Sequence, residues 1–170
     1  MSSMIGVAIP VPDPFGAELE SWRKSFGDPQ ADAIPAHITL LPPARVDRDG
    51  QSDVERHLDD VAAAAAQFEV ALHGTGTFRP VSPVVFVALS LGIAQCERLA
   101  ASVRSGPLAG QLDHPYHPHV TVAHDLPDDV LDRAFAELQE FRARFTVDAL
   151  VLYTHEGGRW REHRSFGLTG

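Results

Sequence analysis

The sequence predicts an α+β fold of two pseudo-symmetric lobes, with antiparallel sheets facing across a central cleft and helices packed outside. Three observations carry this. Apolar runs of strand length alternate with amphipathic stretches of helix length, but without the regular spacing of parallel βαβ units. The two halves repeat one order: an apolar strand, a helix, a strand holding a histidine beside a hydroxyl residue, another helix, then further strands. The histidine strands match each other, His37-Ile38-Thr39-Leu40 and His119-Val120-Thr121-Val122. At 170 residues, 44% apolar and 22% charged, the chain can build one substantial core, so residues 1–170 are read as a single two-lobed domain.

Taken in order, Met4 to Pro10 is a short apolar run stopped by proline and reads as a buried strand. Asp13-Pro14 supplies an N-cap and first-turn proline for a helix with Phe15, Leu19, Trp22 and Phe26 on one stripe, closed by Gly27. His37 to Leu41 is the first motif strand, ended by Pro42-Pro43, and a polar loop follows. Ser52-Asp53-Val54-Glu55 reads as a capping box opening a helix to about Gln67. Phe68 to His73 alternates as a strand, and Gly74-Thr75-Gly76-Thr77 reads as a turn-rich break. Val84 to Leu89 has the unbroken apolar character of a strand covered on both faces.

Gly92 to Val103 is predicted helical, with Ile93, Cys96, Leu99, Ala100 and Val103 inward. The proline-rich span from Ser105 to Pro118 is a positioning loop for the second motif strand, His119 to His124. Pro127-Asp128-Asp129 opens a last helix whose stripe reaches Phe141. Phe145 to Tyr153 and Trp160 to Leu168 read as a hairpin around Gly157-Gly158.

Charge and cysteine content exclude some functions. A net charge of -9 argues against coating long nucleic acid, which requires neutralising many phosphates; a short phosphorylated ligand remains compatible. The single cysteine, Cys96, cannot form an internal disulfide and fits a reducing compartment. No apolar segment is long enough to span a membrane and no leader pattern opens the chain. The expectation is a cytoplasmic monomer with no membrane partner.

In a strand, residues i and i+2 share a face. His37 and Thr39 therefore point one way and Ile38 and Leu40 the other; His119 and Thr121 stand opposite Val120 and Val122 in the same manner. About one His-x-[Ser/Thr] is expected by chance in a chain of this composition; two, each with apolar second and fourth residues and each just behind a proline (Pro35, Pro118), are a pattern.

Imidazole exchanges protons near neutral pH. Two imidazoles on opposite sides of a substrate let one take a proton from an attacking oxygen while the other protonates the departing one. That suits in-line displacement at phosphorus, with the two hydroxyls donating to the non-bridging oxygens as charge builds there. No metal or cofactor is needed. A cyclic phosphodiester is the natural substrate, because its leaving oxygen stays tethered and both hydrolysis and the reverse ligation are accessible.

These paired tetrads resemble the His-x-Thr/Ser-x signatures of the two-histidine phosphoesterase superfamily, which contains bacterial 2'-5' RNA ligases and RNA 2',3'-cyclic phosphodiesterases. Pro118, the Thr77-Phe78 step before the Val84 strand and the closing hairpin are similar too. The resemblance implies motifs on facing strands of a two-lobed α+β fold, and metal-free hydrolysis of 2',3'-cyclic phosphates, usually to the 2'-phosphate. It implies His37 and His119 as the acid and base, with His37 protonating the leaving 3'-oxygen and His119 activating water, and Thr39 and Thr121 as phosphate clamps. The chain departs from RNA-handling members in its acidity. Arg45, Arg79, Arg159, Arg161 and Arg164 are the few cations near the motifs in sequence or in the last hairpin, which favours a nucleotide-sized cyclic phosphate or an RNA end over RNA of any length.

Tyr116, Phe78 and Trp160 are candidates to stack on a base. His117 shares the face of His119 and, with Arg79, is a further candidate to line the cleft. Alternatives are 2'-5' RNA ligation, hydrolysis of cyclic ADP-ribose phosphate, a non-catalytic nucleotide-phosphate-binding module, and a metal site built from His114, His117, His119 and His124. His57, His73, His155 and His163 have no partners in the sequence pattern and read as solvated.

Overall fold

The computed structural model describes residues 2–170. The described residues form eight strands and four α-helices: β1 (Ser2–Pro10), α1 (Phe15–Ser25), β2 (His37–Asp47), α2 (Gln51–Ala64), β3 (Phe68–Thr77), β4 (Val84–Leu91), α3 (Ile93–Val103), β5 (His119–His124), α4 (Asp128–Glu137), β6 (Arg142–Val147), β7 (Ala149–Glu156) and β8 (Arg159–Gly167). Two four-stranded sheets run in the orders β2-β1-β7-β8 and β5-β4-β3-β6, antiparallel throughout. This is the predicted α+β class. No helix among the described residues is long and apolar enough to cross a membrane.

The repeat is visible in the topology. Each motif strand, β2 or β5, is the edge of its sheet, paired to the strand preceding it through a helix. The two edges pack on one another, α1 approaches β5, and α3 approaches β2, the reciprocal contacts a pseudo-two-fold requires. Each sheet is completed from the other half, since β3 pairs with β4 and β7 returns to pair with β1.

The lobes share one core. Ile5, Val7 and Ile9 of β1, Ile38 and Leu40 of β2, Val85 and Val87 of β4, Val120 and Val122 of β5, and Leu150 and Leu152 of β7 join one buried cluster with Leu19, Leu58, Leu99 and Leu131 of the helices. At about 1.5–3 kcal/mol for each fully buried aliphatic side chain, this cluster ties both halves together. The alternate residues of β1 and β7 form a separate small apolar cluster, Ala8, Val151 and Tyr153, with Trp160 packed against it.

Several boundaries differ from the sequence reading. Pro42-Pro43 do not end β2, which continues to Asp47; an edge strand can lose ladder donors, and the pairing to β1 shifts at the prolines, between Val7↔Leu41 and Ile5↔Ala44. Gly74 to Thr77 is not a break but the second half of β3. There, the Phe86 ring fills the space where a Gly76 Cβ would lie, 2.5 Å from its Cζ. Helix α2 takes Gly50 as its N-cap rather than Ser52 and stops at Ala64, short of Gln67. At α1 the cap position is Pro14, yet the Asp13 carboxylate still accepts from the Ala17 N–H at 2.9 Å.

Helix α4 ends at Glu137, before Phe141. The run Phe145–Tyr153 is two strands in different sheets, β6 and β7, divided at Asp148; continuous alternation cannot reveal a strand that changes sheet. The β7–β8 hairpin is as predicted, with Gly157 and Gly158 at φ +57° and +79°. His57 is half-buried, not solvated, and donates a ring N–H to the Val103 carbonyl at 3.0 Å.

Candidate active site

Strand alternation places the four motif side chains as the sequence predicts. Ile38, Leu40, Val120 and Val122 are fully buried, while His37, Thr39, His119 and Thr121 are half-buried on the opposite faces. In register, Thr39 lies across from Ala8 and Thr121 across from Phe86.

Both imidazoles are held in the same way. Nδ1–H of His37 donates to the Pro35 carbonyl at 2.8 Å, and Nδ1–H of His119 donates to the His117 carbonyl at 2.6 Å. Each acceptor is two residues back. A carbonyl only accepts, so the proton sits on Nδ1 and Nε2 keeps its lone pair. Burial pushes His37 down to about 4, opposed by the Pro35 hydrogen bond and reinforced by the charges of Arg23 and His119. His119 is also lowered, chiefly by burial, with the His117 hydrogen bond opposing and the His117 imidazole reinforcing. Both shifts favour the neutral ring at pH 7.

The walls differ. Around His119 the Phe78 ring lies edge-on at 4.9 Å and the Phe86 ring at 5.2 Å, and these two phenyl rings stand 4.6 Å apart. His117 closes the group, 5.9 Å from His119 and 5.5 Å from Phe78. Beside His37 and Thr39, a pocket of about 90 Å³ is lined by Ala8, Tyr153 and Trp160. Burial, with Glu162 and Glu20 adding to it, pushes the Tyr153 phenol up to about 12, so it remains a hydroxyl donor.

Sequence reasoning misses Phe86 and Tyr153. Phe86 is hidden in a uniformly apolar run, and the signal that could have found it is Gly76 on the neighbouring strand. Tyr153 alternates with Leu150 and Leu152, so its hydroxyl in an otherwise aliphatic strand is the signal there.

Other candidates are engaged by protein partners. The Arg79 guanidinium engages Asp132 at 3.0 Å, Asp128 at 3.6 Å and the Thr77 hydroxyl at 3.2 Å. Arg164 binds Asp59 and Glu55, and Arg161 stands 3.9 Å from Glu156. Tyr116 donates its hydroxyl to the Thr39 carbonyl at 2.7 Å. His114 and His124 are exposed, and among the described residues no three His, Cys, Asp or Glu side chains gather as a metal-ligand group.

A buried carboxylate ties α1 to the far end of β5. Asp28, 4% exposed, accepts from Arg23 Nε at 2.8 Å, from the Gln30 N–H at 2.9 Å and from the His124 N–H at 3.0 Å. Three donors compensate the cost of burying its charge.

The chain as a whole is similar to known proteins. A family model described as the 2'-5' RNA ligase superfamily matches residues 11–159. A candidate phosphoesterase of Bacillus licheniformis is 30% identical over 155 residues, covering 87% of this chain and 88% of that protein. One of Oceanobacillus iheyensis is 26% identical over 166 residues, with 96% of each covered. Among solved structures, TT0787 of Thermus thermophilus superposes with a TM-score of 0.73 at 22% identity, covering 98% of both chains. E. coli LigT in complex with 3'-AMP gives 0.67 at 19%, covering both chains fully. With a family model spanning most of its length and the matching fold, the chain belongs to the 2'-5' RNA ligase superfamily of two-histidine phosphoesterases.

Proposed function

We propose that this phosphoesterase-family chain hydrolyses a cyclic phosphodiester, a nucleotide or RNA-terminal 2',3'-cyclic phosphate, with His37 and His119 as a metal-independent acid–base pair. One observation carries the reading: two half-buried imidazoles, each with Nδ1 tied to the carbonyl two residues back and Nε2 left free, each with a threonine on its own strand face. One Nε2 takes a proton from water as its oxygen bonds to phosphorus. The other, entering protonated, delivers its proton to the 3'-oxygen as the P–O3' bond breaks, leaving a 2'-phosphate and a free 3'-hydroxyl. Thr39 and Thr121 donate to the non-bridging oxygens. With a 5'-hydroxyl in place of water as the attacking group, the same step forms the P–O5' bond as P–O3' breaks and makes a 2'-5' linkage; its reverse cleaves one.

The small apolar pocket beside His37 suits a nucleobase against Tyr153 and Trp160, and the 3'-AMP, ATP and NADP+ complexes of LigT support a nucleotide-sized ligand. The resemblance assigns His37 as acid and His119 as base. The deeper depression of His37 favours the reverse order in the free protein, because the group with the lower pKa is the one ready to accept a proton.

Incubation with a nucleoside 2',3'-cyclic phosphate in excess chelator, followed by phosphorus NMR, tests the proposal. Conversion to the 2'-monophosphate supports it. Activity lost on chelation points to a metal-dependent hydrolase, and binding without turnover to a phosphate-binding module.

A further inference from the structure

The loop that leads into the second motif reaches across to the backbone of the first. Tyr116 sits three residues ahead of His119, between Pro115 and Pro118, and its hydroxyl donates to the main-chain carbonyl of Thr39, 77 positions away, at 2.7 Å. β2 is a sheet edge, so carbonyls on its outer side have no ladder partner and must be satisfied from outside the sheet. From its placement in the fold, we infer that Tyr116 is a positioning residue that fixes the spacing of β2 and β5, and through it the two imidazoles relative to one phosphate. The inference rests on the two-histidine reading above.

Several features make this contact a tie rather than incidental packing. The phenol is half-buried against the shared core, and the Arg104 guanidinium lies 5.4 Å from its ring centroid, so the ring is held from its sides while the hydroxyl projects to Thr39. Burial raises its pKa above the usual phenol value, which keeps the hydroxyl a donor. The flanking prolines stiffen the approach to His119. The acceptor belongs to the first motif itself, whereas the Asp28 tie meets β5 at its other end, His124. A small sliding of the seam would therefore be felt first at the reacting groups.

The test uses Tyr116→Phe, which removes one oxygen and retains the ring and its packing on Arg104. With a nucleoside 2',3'-cyclic phosphate, kcat is expected to fall on the order of 10- to 100-fold, as for an ångström-scale misplacement of catalytic groups, with KM and the thermal midpoint little changed. Backbone residual dipolar couplings of the labelled full chain should show the two sheets reoriented relative to one another. Unchanged kcat, an unchanged sheet orientation, or a kcat loss matched by a collapsed thermal midpoint each overturns the inference. If the wild-type protein turns over no cyclic phosphate, the phosphoesterase reading fails by itself, and the couplings still decide whether Tyr116 sets the seam.

Discussion

The Nδ1–H of His37 donates to the carbonyl oxygen of Pro35 at 2.8 Å, and the same bond recurs from His119 to His117 on the other lobe. A repeated backbone acceptor at position i−2 fixes the ring plane and the tautomer together. Each ring is thereby held in one orientation on its strand face, with Nδ1 committed to the backbone.

His37→Ala and His119→Ala should each lower kcat/KM for a nucleoside 2',3'-cyclic phosphate by about 10²–10⁴-fold, the range for losing a general acid or base. The double variant should lose little more, since the two act as a unit. Steady-state kinetics with a urea titration of each variant checks this. Retained folding with additive losses would show two independent groups.

Thr39→Val and Thr121→Val keep the β-branched shape and remove only the hydroxyl. Each should cost on the order of 10²-fold in kcat, as for one lost oxyanion donor. The losses should be smaller when the phosphoryl oxygens are replaced by sulfur, a poorer acceptor.

How much of this is legible beforehand follows from the period of a strand. His37/Thr39 and His119/Thr121 are placed correctly because alternation assigns faces without tertiary information. The edge position of β2, the exchange of β3 and β7 between lobes, and the contact of Tyr116 with Thr39 depend on chain crossings that no local pattern encodes. Gly74–Thr77 misleads for a related reason: Gly76 serves the Phe86 ring on the next strand, not a turn.

Both imidazoles are depressed, His37 to about 4 and His119 below its ordinary value of 6.5. A pair needing one protonated and one neutral ring works best between its two values. The pH profile of kcat/KM, which reports the free protein, should therefore peak on the acidic side of neutrality. It should fall below about pH 4 as the base takes a proton and fall again toward pH 7 as the acid loses its own. The kcat profile should lie at higher pH, because bound phosphate favours the charged imidazole. A kcat/KM maximum above pH 8 would contradict the assignment.

Asp28→Ala leaves the Arg23 guanidinium, 7% exposed, without its carboxylate and the His124 N–H without an acceptor. Urea unfolding should show a loss of about 3–5 kcal/mol. Pairing the change with Arg23→Met should recover part of it, since removing both charges avoids a buried unpaired one.

The central claim is that His37 and His119 reach opposite sides of one phosphorus atom. A crystal structure of the protein with a nucleoside 2',3'-cyclic vanadate, a five-coordinate stand-in for the reacting phosphate, tests it most directly. The account predicts Nε2 of one histidine within hydrogen-bond distance of one apical oxygen, Nε2 of the other at the opposite apical oxygen, and the Thr39 and Thr121 hydroxyls on the equatorial oxygens. Both imidazoles on one side of the vanadium, or the vanadate bound away from them, would contradict it.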